Sequence, residues 1–322
     1  MAKLLSIIVP VFNEEESVEL FWDRVKQVLA PLGMDLEVIF IDDGSRDRTI
    51  EIIEQLHTQD PRVKLVSLSR NFGKEAAMTA GLDVAQGDLV VPIDVDLQEP
   101  PELILEMVQK WKEGFDVVVA RRQLREGDSF LKRVTAKGYY ALLKRLSPID
   151  IPSNVGDFRL MDRQVVEVLK QYREKKRFMK GIFATLGFKT AEVAFNRVDR
   201  AAGTTKWSYL RLIGFAIDGL LSFSVVPLQI SAVIGSFVSF GAFCYAVFLI
   251  IKVLFFGIAA PGYASIMVVM LFLGGIQMLS LGILGEYIGS IYYEVKGRPI
   301  YIVKETTGLE GPSPSNRNLP KS

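Results

Sequence analysis

Asp94-Val95-Asp96-Leu97-Gln98-Glu99-Pro100-Pro101 follows the apolar run Leu89-Val90-Val91-Pro92-Ile93, which is bounded by Gly87-Asp88. The run reads as a short buried strand. Pro100-Pro101 forbids its continuation and suits the start of a helix at Glu102. Asp94 and Asp96 therefore fall at the carboxyl end of a strand, where open α/β sheets bind their ligands. Side chains two apart on an extended segment share a face, so the two carboxylates converge on one point. Two hard oxygen donors that leave other positions to water and phosphate suit Mg²⁺ or Mn²⁺. An isolated Asp-x-Asp is commonly a solvated turn; its place behind a buried strand is what sets this one apart.

Strand and helix signals alternate along the first part of the chain. Leu5–Pro10, Leu36–Ile41, Val63–Leu68 and Asp116–Ala120 read as strands; Glu15–Leu29, Asp47–Leu56, Lys74–Ala85 and Glu102–Lys112 read as helices. This predicts an α/β, Rossmann-like domain with a mostly parallel sheet covered on both faces. No Gly-x-Gly-x-x-Gly follows the first strand, which disfavours a dinucleotide fold of the dehydrogenase type. Instead the first strand ends Pro10-Val11-Phe12-Asn13-Glu14 and the second ends Asp42-Asp43-Gly44-Ser45. Both put polar groups at the edge that carries Asp94 and Asp96. Asp42-Asp43-Gly44-Ser45 suits a turn with a helix cap, and also a site for the base and ribose of a nucleotide; the two readings are compatible. Arg70-Asn71-Phe72-Gly73-Lys74 closes a strand and opens a helix, where a cap is the simpler role and phosphate contact the sharper one.

Beyond Ala120 the pattern loosens. Arg121-Arg122 leaves the fifth strand at the same edge, as a solvated pair or as the cations a diphosphate needs. Asp128–Leu146 reads as a basic amphipathic helix that covers the sheet or lies on an anionic membrane surface, sheet cover being the preferred reading. Asn154–Arg163 reads as a polar loop at its start, carrying Asp157 ahead of an apolar segment, with a helix beginning after Asp162; a cap or turn is the simpler role for that aspartate. Trp207–Ser224 is amphipathic, with Trp207, Leu210, Ile213, Ile217, Leu220 and Leu221 on one stripe.

That helix leads into the strongest signal in the chain. No charge occurs from Gly219 to Ile251, nor from Val253 to Gly285. Each run exceeds the roughly 20 apolar residues a bilayer crossing needs. Transmembrane helices are expected near Leu228–Ile251 and Ala264–Gly285, joined by the uncharged Pro261-Gly262 turn. Lys206 and Arg211 precede the pair; Lys296, Arg298 and Lys304 follow it. The positive-inside rule then puts both flanks in the cytoplasm and the Pro261 loop outside. Ser231, Gly235 and Ser239 recur every four residues, and Gly275, Gly282 and Gly289 every seven, which implies a packed hairpin or contacts in a homo-oligomer.

Composition narrows the remaining classes. The chain has 322 residues, 49% of them apolar, and a mean hydropathy of +0.26. A formal net charge of +1 supplies no field toward nucleic acid, and none is expected as a partner. The single Cys244 excludes an internal disulfide and a cysteine metal site. The lone His57 falls at a polar helix end and reads as a solvated surface residue. Lys3 is followed almost at once by the strand Leu5-Ser6-Ile7-Ile8-Val9, with no signal-peptide pattern before it, so the N-terminal part is expected in the cytoplasm. The Pro-, Ser- and Asn-rich stretch after Gly308 reads as disordered.

Together, Asp94–Pro101, Val9–Glu14, Asp42–Ser45 and Asn154–Arg163 resemble the polyisoprenyl-phosphate glycosyltransferases. These are inverting GT-A enzymes of glycosyltransferase family 2, similar to dolichol-phosphate mannosyltransferase. The resemblance is nearest to the bacterial branch that makes undecaprenyl-phosphate glucose with two C-terminal membrane helices. It runs from Leu5 to about Lys304, and only Val95 departs from the usual Asp-Ala-Asp. It implies that Pro10, Phe12, Glu14, Asp42 and Asp43 hold the nucleotide, and that Asp94, Asp96 and Gln98 hold metal and diphosphate. It implies too that Arg122, Arg200 and Lys206 neutralise donor diphosphate or lipid phosphate, and that Asp157 stands where the catalytic base does. For Arg200 and Lys206, charge flanking a membrane is the simpler role.

The expected layout is a GT-A domain over 1–205, a juxtamembrane amphipathic helix over 206–226, a transmembrane hairpin over 227–290 and a cytoplasmic tail over 291–322. The expected reaction is transfer of a sugar, glucose from UDP-glucose in the first instance, to a polyprenyl phosphate at the inner membrane, for glycan or O-antigen modification. GDP-mannose, UDP-N-acetylglucosamine or an amino-arabinose donor would use the same chemistry. A processive polysaccharide synthase needs more spans and a Gln-x-x-Arg-Trp motif, both absent from the sequence. A non-catalytic nucleotide-sugar-binding protein would have lost Asp94, Asp96 or Asp157, and all three are present.

Overall fold

The computed structural model describes residues 3–122, 155–175, 177, 179–196, 226–256 and 262–309. In the first unit, β1 (Leu4–Val11), β2 (Asp35–Asp42), β3 (Val63–Leu68) and β4 (Leu89–Pro92) alternate with α1 (Val18–Leu29), α2 (Thr49–Gln59) and α3 (Lys74–Val84). Helix α4 (Leu103–Lys112) then leads into β5 (Val117–Arg122). These elements follow local periodicity. In α1, for example, Val18, Phe21, Trp22, Val25 and Leu29 form the buried stripe, and Phe21 meets Phe40 of β2 edge to face.

Three further strands lie where the sequence reading has none: β6 (Val155–Asp162), β7 (Thr190–Phe195) and β8 (Val303–Thr307). Short helices α5 (Arg163–Leu169) and α6 (Met179–Thr185) lie between β6 and β7. The eight-stranded sheet runs β7-β5-β6-β4-β1-β2-β3-β8. Only β6 and β8 oppose their neighbours, so the sheet is mostly parallel, as expected.

The polar loop expected at the start of Asn154–Arg163 is therefore corrected to strand over its described part, while a helix does begin after Asp162. Strand β6 is covered on both faces, burying Phe158, Arg159, Leu160 and Met161 in succession. Burial of that kind erases the alternation by which a half-exposed strand is recognised. The segment after the apolar helices is more than a tail. Strand β8 pairs with β3, Ile302 O accepts from Ser69 N–H at 2.9 Å, and Tyr301 Oη donates to Asp83 at 2.6 Å. Its charged residues Lys304 and Glu305 are exposed on this edge strand, where charge discourages further pairing.

Helix α3 sets the height of the site. Its buried positions are mostly small, including Ala76, Ala77, Ala80 and Gly81. A Cβ on Gly81 would come within 2.2 Å of Ile8 Cγ2, so the helix lies directly on β1 and β2. Being short of bulk on that face, it brings its first residue, Lys74, down to the carboxyl edge of the sheet.

The second unit contains α7 (Val226–Phe256) and α8 (Tyr263–Val295). At 31 and 33 residues they are long and apolar enough to cross a membrane. Large apolar side chains such as Phe237, Phe240, Phe255 and Val268 stand exposed. Ser231 donates to Ser280 across the pair at 3.0 Å. A Cβ on Gly235, Gly275, Gly282 or Gly289 would meet nothing within 4 Å, so these glycines are not what holds the hairpin together. The expectations for Asp128–Leu146, Trp207–Ser224, Arg200, Lys206 and the end of the tail fall outside the described residues.

Candidate active site

Three loops meet at the carboxyl ends of β1, β2 and β3, and their own polar groups fasten them. Asn13 adopts φ 54°, its N–H donates to Ser45 Oγ at 2.9 Å, and its Oδ1 accepts from Arg46 N–H at 2.9 Å. Glu14 N–H donates to Thr49 Oγ1 at 2.9 Å. Asp42 is fully buried; its carboxylate accepts from Gly44 N–H, Ser45 N–H and Ser67 Oγ. These bonds make the turn, one of the two compatible readings of Asp42-Asp43-Gly44-Ser45. Asp43 accepts from Phe72 N–H at 2.7 Å and Gly73 N–H at 2.8 Å, tying the second loop to the third. Burial raises the Asp43 carboxyl above its ordinary value, against the lowering effect of those two N–H groups.

Gly44 has no substitute at this junction. Its φ is +77°, and a Cβ there would lie 2.7 Å from the Arg70 carbonyl carbon and 2.8 Å from Asn71 N. Gly44→Ala is expected to destabilise the sheet domain by about 1–3 kcal/mol through strain and backbone clash. Thermal unfolding of the purified variant checks this; an unchanged midpoint contradicts it.

A cavity of about 370 Å³ opens beside these loops, lined by Pro10, Phe12, Glu14 and Asp43 from the first two and by Asn71, Gly73 and Lys74 from the third. Asp94, Val95 and Asp96 line it as well. Both aspartates line one cavity, but the segment that carries them is not an extended strand. Strand β4 stops at Pro92, and the chain turns: Gln98 N–H donates to Asp96 Oδ1 at 3.2 Å, and Leu97 takes φ 55°. A left-handed leucine is a strained residue held by its surroundings. Gln98 itself is buried, and its amide oxygen meets no hydrogen-bond donor among the described residues.

The antiparallel entry of β6 completes the site. Leu89 pairs with Asp162 and Val90 with Met161, so the first residues of β6, Asp157 among them, run toward the edge where β4 ends. Lys74 Nζ lies 2.6 Å from Asp94 Oδ1 and 3.2 Å from Asp157 Oδ2. Burial works against the Lys74 charge, but Asp94 and Asp157 outweigh it and hold the ammonium above its usual range. Burial, then the neighbouring Asp94, pushes Glu99 up to about 8. Behind Asp157, buried Arg159 donates to Gly156 O at 2.7 Å and lies 3.5 Å from the Phe183 ring centroid. Arg122 ends β5, and Arg121 beside it pairs with Glu192 at 2.8 Å.

Glu99 and Arg159 are site groups that the sequence reading gives no role, and Lys74 enters it only within Arg70–Lys74, as a helix opening or a phosphate contact. Lys74 left a trace: a lysine in the first turn of a helix opposes the helix dipole, which calls for another reason. Arg159 left none, because its burial depends on β6 being an interior strand.

Two carboxylates on an open cavity are suitable ligands for a hard divalent ion. Among the described residues no three His, Cys, Asp or Glu side chains converge on one point. An ion here would therefore take its other ligands from water and from a phosphate-bearing substrate, the habit of Mg²⁺ and Mn²⁺.

Residues 6–170 match the glycosyl transferase family 2 model, and the chain belongs to that family. It is a glycosyltransferase, and its mostly parallel α/β sheet is of the GT-A type. An uncharacterised glycosyltransferase of Synechocystis sp. is 50% identical over 306 residues, 95% of this chain and 96% of its own. The bactoprenol glucosyl transferase of Shigella phage SfII is 47% identical over 302 residues, 94% of this chain and 98% of its own. Among solved structures, glucosyl-3-phosphoglycerate synthase from Mycobacterium tuberculosis aligns with a TM-score of 0.48 at 24% identity, over 68% of this chain and 78% of that one.

Proposed function

We propose that this protein transfers glucose from UDP-glucose to a polyprenyl phosphate at the cytoplasmic face of a membrane, inverting the anomeric carbon. The observation that carries the reading is that Asp94, Asp96 and Lys74 line one cavity and that Lys74 joins Asp94 to Asp157, in a chain that also has two apolar helices. The near full-length likeness to a bactoprenol glucosyl transferase supports the choice of sugar and lipid.

Pro10, Phe12, Glu14 and Asp43 receive the nucleotide, with exposed Phe12 at the rim offering its ring to the base. Asp94 and Asp96 would hold the divalent ion, which supplies positive charge to the departing diphosphate. Gln98 and Arg122 serve that diphosphate; Arg200 and Lys206 serve the diphosphate or the lipid phosphate. An acceptor phosphate oxygen attacks the anomeric carbon on the face opposite the leaving group, and the bond to the β-phosphate oxygen breaks. A phosphate monoester has its second pKa near ~6, so the nucleophile is largely ionised at neutral pH. Asp157 therefore orients the acceptor or takes a residual proton; a strong base is not required.

The test is an assay of purified full-length protein with undecaprenyl phosphate and a panel of nucleotide sugars, with the lipid product identified by mass spectrometry. Glucose from UDP-glucose is the expected product. Transfer from another donor alone would overturn the sugar assignment. Equal rates on a soluble alcohol would overturn the acceptor, leaving the apolar helices as an anchor.

The proposed topology has both flanks of the helical pair in the cytoplasm. It rests on the basic flanks, the uncharged loop at Gly262 and the return of the chain to its own sheet as β8. A chain that leaves a domain and rejoins it crosses a bilayer an even number of times. In a Cys244→Ala background, a cysteine at Tyr263 is expected to react with an impermeant reagent from outside, and one at Ser313 only after permeabilisation. Labelling of position 313 in intact cells contradicts the topology.

A further inference from the structure

Lys74 opens α3, the end of a helix that favours negative charge. Its ammonium points instead at two carboxylates, Asp94 at 2.6 Å and Asp157 at 3.2 Å, brought in by separate strands of opposite direction. Asp94 and Lys74 are each about two-fifths exposed, and both line the cavity, so the pair faces the space a donor enters. The contact joins the carboxylate of the donor side to the one proposed for the acceptor side.

We infer that Lys74 is the resident counter-ion of the donor-free site, a positioning residue that holds Asp94 and Asp157 together and yields Asp94 to the divalent ion arriving with the donor. The inference rests on the proposed reading of Asp94 and Asp96 as ligands of that ion. An ammonium has three donors, so Lys74 can keep Asp157 while turning toward the diphosphate oxygens. A divalent ion without nucleotide competes with the ammonium for Asp94 and offers it no anionic partner in exchange. With a nucleoside diphosphate present, the displaced ammonium gains an anionic partner. Ion and nucleotide thus bind with synergy, and Lys74 is its source.

The test measures Mn²⁺ affinity of the full-length protein in detergent, by the paramagnetic resonance of free Mn²⁺, with and without UDP. Lys74→Met is expected to bind Mn²⁺ alone roughly twofold to fivefold more tightly than the unaltered protein, in keeping with a partly exposed ion pair. It is expected also to bind UDP alone more weakly and to lose most of the synergy. Lys74→Arg keeps the charge and is expected to restore the pattern. A damaged fold weakens both ligands, whereas this mechanism moves them in opposite directions. Unchanged or weaker Mn²⁺ binding by Lys74→Met without UDP overturns the inference, while UDP-dependent Mn²⁺ binding that is lost in Asp96→Asn leaves the ion's ligands as proposed. Absence of Mn²⁺ binding even with UDP overturns the ligand reading and this inference together.

Discussion

Asp96→Asn is expected to lower turnover by about two to four orders of magnitude, the scale on which an ion stabilising a leaving group acts. The fold should survive the change. Asp96 stands at the cavity rather than in the core, and asparagine keeps an oxygen for the Gln98 N–H that now donates to Asp96 Oδ1. What it removes is half of the negative charge offered to the ion by the Asp94–Asp96 pair. Steady-state rates at saturating Mn²⁺, with circular dichroism and thermal unfolding as controls, separate the two effects. Full activity of the unaltered protein in excess chelator would sink the metal assignment, whatever the variant does.

Asp157→Asn is expected to reduce kcat by about 10²–10⁴-fold with a smaller change in KM for the donor. Asparagine is nearly isosteric, so β6 and its pairing should persist, and the loss falls on the group proposed to face the acceptor. The pH dependence distinguishes its two roles. The acceptor's second pKa lies near ~6, so below that value a proton remains to be removed, and well above it none does. If Asp157 takes that proton, the deficit of the variant shrinks as pH rises from about 6 to 8. If Asp157 only orients the acceptor, the deficit is the same across that range. A variant with unaltered kcat at every pH removes Asp157 from the reaction. In this variant Lys74 loses one of its two carboxylate partners, so UDP affinity should be measured alongside.

These experiments probe one edge from both sides. The proposed nucleotide side is built from loops that the chain fastens locally: Asp42 on its own turn, Asp43 on Phe72 and Gly73, Asn13 on Arg46. The proposed acceptor side depends on an interior strand that runs against its neighbours. Because β6 enters where β4 leaves, its first residues reach the ligand edge and its last, Asp162, caps α5 at the other.

Much of this was legible in the order of residues. The run Leu89–Pro92 followed by Asp94, Asp96 and two prolines placed the acidic pair at a strand end, since apolar length and proline chemistry act over a few residues. The same short-range rules set α1 to α4, the first five strands and the two long apolar helices. Family 2 membership followed from four short motifs, three of them at loops of one edge and the fourth in β6. Tertiary structure decided the rest. The Asp94–Asp96 segment turns at Leu97, where sequence periodicity implied extension, and only the surrounding packing can hold a leucine at φ 55°. Strand β6 carries no alternation because both its faces are covered, so the juxtaposition of Asp157 and Asp94 is invisible until strands distant in sequence pair. Strand β8 is polar because it is an edge, and its partner β3 lies more than 200 residues earlier in the chain. Lys74 shows the division most plainly: its helix position is written locally, while the two carboxylates that give it a role arrive from β4 and β6 by long-range pairing.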